Sequence, residues 1–204
     1  MQESSSRAIT LSADLSDYFR EPVGIALREV EVEPSPATET YLVQLLTDFA
    51  RPEATGTSVL SDSVTLLFRD AMSAAGQDRF RKLQSLGDGV LYAMGYFGGS
   101  QLRGADETYV ARVGSSAYDH AARMLRTGQG RSSGPDVLDE LARQFRRFVD
   151  VLRVVSDWVA AKGARDEASL LKLYDRYQRS GSSVLRTELC RSGLLPVEGP
   201  GGVH

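Results

Sequence analysis

Apolar residues recur along most of the chain at spacings of three and four, the period of one face of an α-helix. The cleanest run lies late in the sequence. Leu138, Leu141, Phe145, Phe148, Leu152, Val155 and Val159 alternate three and four throughout, and Val137, Val151 and Trp158 widen the stripe. The pattern predicts one helix over about 135–162, opened by Pro135 and ended by Gly163, roughly 40 Å long at about 1.5 Å per residue. On its polar face Arg146 precedes Asp150 and Arg153 precedes Asp157, at the (i, i+4) spacing of helical ion pairs.

The rest of the chain reads as shorter helices. Leu11, Leu15, Tyr18 and Phe19 share one side of a first segment. Residues 21–33 fit two patterns: Val23, Ile25 and Leu27 alternate like a strand, while Val23, Ala26, Leu27 and Val30 keep helical spacing. No second convincing strand exists to pair with it, so the reading is helix to about Val30 and then an acidic extended linker. Ser35-Pro36 is a helix start, a capping hydroxyl followed by proline in the first turn. That helix carries Tyr41, Leu42, Leu45, Leu46 and Phe49 and stops at Arg51-Pro52. A further face runs through Leu60, Val64, Leu67, Phe68 and Met72 to Gly76. After the heptad helix, Asp166 caps a segment with Leu170, Leu173, Tyr174 and Tyr177, and a short one with Val184, Leu185 and Leu189 follows Gly181. The expected fold is all-α: a single-domain bundle of six to seven helices over 11–193 with the heptad helix at its centre. Residues 1–10 and 194–204 read as disordered ends.

The stretch 80–125 carries the least routine chemistry. It reads as helices 80–98 and 105–126, folded back through Gly98-Gly99-Ser100. Gly87, Gly89 and Gly95 fall inside the first of these, each costing about 1 kcal/mol against alanine. Close approach of another helix would offset that cost. Four of the chain's eight tyrosines, Tyr92, Tyr96, Tyr109 and Tyr118, lie in this quarter. Asp88 stands between two glycines in mid-helix; if buried, Arg112 of the facing helix is the expected partner. The candidate binding residues are therefore Asp88, Tyr92, Tyr96, Phe97, Tyr109, Arg112 and Tyr118.

Composition narrows the function classes. The net charge is -3 over 204 residues, with no general pull towards nucleic acid or acidic membranes. Residues 1–57 hold four basic and ten acidic side chains, and the remainder is mildly basic. The arginine clusters at 143–153 and 176–191 are interleaved with acids and read as solvated helix faces. No apolar run approaches 18 residues, so no membrane span is expected. One cysteine, Cys190, excludes an internal disulfide, suits the cytoplasm and reads as a small core residue. Two histidines, His120 and His204, in no metal-ligand spacing, lead to an expectation of no metal and no cofactor. Nucleophilic catalysis would need His120 as its histidine base, with Ser115 and Ser116 one turn before it. An enzyme reading would have to assemble Asp88, Arg112 and His120.

Glu39-Thr40-Tyr41-Leu42-Val43, Leu83 to Gly87, the Tyr96-Phe97 corner and Gly114-Ser115-Ser116-Ala117-Tyr118 together resemble a family of uncharacterised proteobacterial all-helical proteins, over roughly residues 15–125. The resemblance implies no activity. The family pattern has a tyrosine pair after the corner; here Tyr109 is followed by Val110. The expected function is that of a non-enzymatic cytosolic adaptor or regulator acting through a protein partner or self-association. The alternative is a small-molecule or lipid-binding bundle with an aromatic-lined pocket between helices 80–98 and 105–126.

Overall fold

The computed structural model describes residues 2–51, 63–98, 106–128 and 136–194, with side chains from Leu15 onward. Every regular element among them is a helix. They are α1 (Gln2–Glu29), α2 (Pro36–Phe49), α3 (Val64–Ser73), α4 (Gly76–Gly95), α5 (Glu107–Gly128), α6 (Val137–Arg143), α7 (Phe145–Gly163), α8 (Glu167–Ser180) and α9 (Ser183–Arg191). The all-α class holds, but nine helices are described rather than six to seven. The sequence features at Leu60, at Gly99-Ser100, at Pro135 and in the tail from residue 195 lie outside the described residues.

Part of the difference in count lies in the heptad stretch. The expected helix 135–162 is interrupted at Gln144, which leaves helical geometry (φ −109°, ψ 24°) between α6 and α7. Neither proline nor glycine causes the break. The seam continues across it: Leu138, Leu141, Phe145, Phe148, Leu152 and Val155 are all buried. The expected ion pairs also differ. Arg153 pairs with Asp150 at 3.2 Å and Glu107 at 3.6 Å, while Asp157 is taken by Arg176. One helical turn offers several acids, and cross-helix partners compete with the (i, i+4) neighbour.

The described residues fall into two compact units, 1–153 and 154–204. In the first, α1 begins at Gln2, inside the stretch read from sequence as a disordered end, and buries Phe19, Val23, Ala26 and Leu27. It ends in a turn where Glu31 takes a left-handed φ of 56°. Arg147 donates from Nη2 to the carbonyls of Val30 and Glu31, both at 3.0 Å. Ser35 caps α2, its hydroxyl accepting from the Thr38 amide. Glu140 of α6 covers the same helix end. It accepts from the Ser35 amide (3.0 Å), the Ser35 hydroxyl (2.8 Å) and the Thr38 hydroxyl (2.7 Å). Burial works to raise the Glu140 pKa, but these hydrogen bonds, with Arg143 nearby, outweigh it and hold the carboxyl below its usual range.

Helices α4 and α5 pack antiparallel: Gly87 faces Tyr118, and further along α4 Val90 faces Gly114. A β-carbon on Gly87 would lie 2.7 Å from the Tyr118 ring, and one on Gly114 would meet Phe145 and Val90. Gly95 lies against Leu152 and the Val149 carbonyl of α7.

The second unit has its own core, Ala161, Leu173, Tyr177, Leu185 and Leu189. Asp166 forms a reciprocal capping box with Ser169 at the start of α8, and Gly181 ends that helix at φ 65°. Arg176 bonds the buried Asp157 (2.5 Å) and Ser156 (2.9 Å). The Lys162 ammonium lies 5.2 Å from the ring of Trp158. Cys190 is exposed rather than a core residue, because Leu185 and Leu189 take the inward (i, i+4) positions and residue 190 turns away by about 100°.

Candidate functional site

Three helices place a carboxylate between two tyrosines. Gly87 leaves room on α4 for the Tyr118 ring, and Asp88, the next residue, accepts the Tyr118 hydroxyl at 2.8 Å. From α2 the Tyr41 hydroxyl reaches the same Oδ1 at 2.6 Å. Gln84, one turn before Asp88, donates to the Tyr41 oxygen at 3.0 Å. Burial raises the Asp88 pKa, the two tyrosine hydrogen bonds work against it, and the balance stands at about 6. Burial and the adjacent Asp88 push both phenols well above the ordinary tyrosine range. They therefore serve as hydrogen-bond donors to the carboxylate. Arg112 is not the partner of Asp88; it is exposed on another side of α5. Tyrosine hydroxyls satisfy a carboxylate here without the cost of burying a guanidinium.

The second cluster is aromatic. Phe49, at the end of α2, stacks on Tyr92 with centroids 4.2 Å apart and planes 13° from parallel. Tyr92 stacks in turn on Tyr96 at 5.1 Å. Phe97 meets both edge-on, at 5.3 and 5.6 Å. The run passes from buried Tyr92 through half-buried Tyr96 to Phe97, which is 37% exposed. Burial, with Tyr96 beside it, pushes the Tyr92 phenol up to about 12. Comparison with family models, curated proteins and solved structures gave no match.

The remaining candidates lie apart from both clusters. Tyr109 is 42% exposed and shares a 2.8 Å hydrogen bond with Thr65 of α3. His120 shares its Nδ1 with the Ser116 carbonyl at 2.8 Å and stands edge-on to Phe68. Asp88, Arg112 and His120 thus have three separate sets of neighbours. Among the described residues no group of three or more His, Cys, Asp or Glu side chains could hold a metal ion, and no helix is long and apolar enough to cross a membrane. Sequence reasoning missed Phe49, Gln84 and Tyr41 as site residues. Phe49 and Tyr41 stood out in sequence as members of the α2 apolar face, and nothing in the spacing of Tyr41 or Gln84 pointed to Asp88 beyond the place of Gln84 one turn before it.

Proposed function

We propose that this protein is a non-enzymatic cytosolic adaptor or regulator that works by protein–protein contact, and that Tyr96 and Phe97 form the centre of the contact, self-association included. The observation that carries this reading is the stacked run from Phe49 through Tyr92 to Tyr96 and Phe97. It fixes two large rings at the surface by stacking them on buried ones, so little side-chain entropy is left to lose on association. The Asp88 cluster sits beside it as a brace joining α2, α4 and α5, with both tyrosines engaged in holding the carboxylate.

A ligand lodged between α4 and α5, the other reading of the sequence, has less in its favour. The helices meet so closely at Gly87 and Gly114 that a single added carbon would collide.

Light scattering on the size-separated protein tests the proposal. Self-association that is lost in Tyr96→Ser/Phe97→Ser, with far-UV circular dichroism unchanged, supports it. A photo-crosslinker at position 97 that joins a defined partner in cells supports the hetero form. A strict monomer with no adduct at position 97 overturns both forms.

A further inference from the structure

A second feature lies on the other side of α5, where that helix faces the junction of α6 and α7. A cavity of about 390 Å³ opens there, within the range of small-molecule sites. Four arginines line it, Arg112 from α5 and Arg143, Arg146 and Arg147 from around the Gln144 break, and among the described residues no acidic one does. Arg143 is paired with Asp139, so in a chain of net charge -3 three positive charges, those of Arg112, Arg146 and Arg147, stand here without a carboxylate partner among the described residues.

The nearest acids are already engaged, one of them with the cavity's own Arg143. Asp139 bonds Arg143 at 2.9 Å and Arg126 at 3.0 Å. Glu140 covers the start of α2, and Glu107 and Asp150 serve Arg153. Arg147 spends its hydrogen bonds on the carbonyls of Val30 and Glu31, which fix the guanidinium but leave its charge uncancelled. Arg112 and Arg146 form no ion pair with any described residue. Guanidinium groups stay protonated throughout the physiological range, so Arg112, Arg146 and Arg147 hold three like charges around the cavity that a bound anion would offset. Ser115 and Gln144 add polar groups to the wall, and Phe145 adds an apolar surface.

We propose that this cavity binds a small molecule bearing one or more phosphate groups. Planar guanidinium forks match phosphate oxygens two at a time, and several forks converging on one hollow suit a compact, multiply charged anion. A long polyanion would require basic side chains spread along a surface. Here Asp150 interrupts the exposed face of α7 one turn beyond Arg146 and Arg147.

Calorimetric titration of the full chain with inorganic pyrophosphate tests this at low and at raised salt. The expected result is saturable one-to-one binding that weakens with salt and falls at least tenfold in Arg112→Gln/Arg146→Gln. Both residues are exposed, and an unchanged melting curve establishes that the variant folds; if it does not, Arg146→Gln alone carries the comparison. A control with exposed arginines outside the cavity, Arg69→Gln/Arg81→Gln, should stay within twofold of the parent. Absence of saturable binding overturns the proposal, as does an equal loss in the control. Co-sedimentation with phosphatidic acid vesicles and a duplex DNA shift assay separate the sources. Arginine-dependent binding to either, without pyrophosphate binding, overturns the small-molecule assignment.

Discussion

At Gly87 a β-carbon would stand 2.7 Å from the ring of Tyr118, a side chain with no exposed surface, so alanine there must displace part of the core. Alanine also favours the helix by about 1 kcal/mol, but overpacking of this kind costs about 1–3 kcal/mol. Gly87→Ala should therefore lower the urea midpoint despite its better helix propensity. Gly95→Ala should lower it further, since its obstacles include the Val149 backbone carbonyl. Asp88 gives a pH effect of defined sign. Its carboxyl binds a proton more tightly in the folded protein (about 6) than at its ordinary value of 3.8, so the folded state carries the extra proton between those values. The Asp88 contribution to stability is fully present below about pH 4 and is lost as pH rises through 6. Asp88→Asn should flatten that slope in urea melts between pH 4 and 7. Tyr41→Phe should steepen it, because it removes a hydrogen bond to the charged form. Glu140 acts in the opposite sense: its depressed pKa adds stability above 4.5 that is lost on acidification. Glu140→Ala strands the Ser35 and Thr38 donors and should cost about 1–3 kcal/mol, read from the same melts. The sequence marked Asp88 as unusual because a carboxylate between two glycines in mid-helix has no routine place. It did not reveal the partners, since Tyr41 lies 47 residues away and periodicity does not encode where a hydroxyl points.

Helices were legible wherever three-four spacing met a cap. Ser35 and Asp166 both cap as their side chains suggest, and Gly181 ends α8 in the left-handed region only glycine enters cheaply. The break at Gln144 was not legible, because the apolar seam keeps its phase from Leu138 to Val155 and hides a local loss of helical geometry. The same limit applies to the arginines of α6 and α7. On a helix viewed alone they alternate with acids and read as a solvated face. Their meeting with Arg112 depends on how α5 docks, which no single-helix pattern contains.

For the molecule as a whole, the helical class followed from periodicity, whereas the division at residue 153 did not, because the seam runs through it without a change of spacing. The 154–204 unit rests on five core residues, and its α8 and α9 together are no longer than α5 with one further turn. Less apolar surface is buried there, so its amides should open at lower free energy. Hydrogen exchange should therefore show α8 and α9 exchanging well before α4 and α5; equal protection would mean that the chain unfolds as one cooperative body. Trp158, held under Lys162, makes this separable by optics. It is the chain's one tryptophan and belongs to the smaller unit, while Tyr18, Tyr41, Tyr92, Tyr96, Tyr109 and Tyr118 all belong to the larger. Emission excited at the red edge thus reports one unit alone, and near-ultraviolet tyrosine dichroism chiefly the other. The chain carries a built-in pair of reporters, one for each half of its own unfolding.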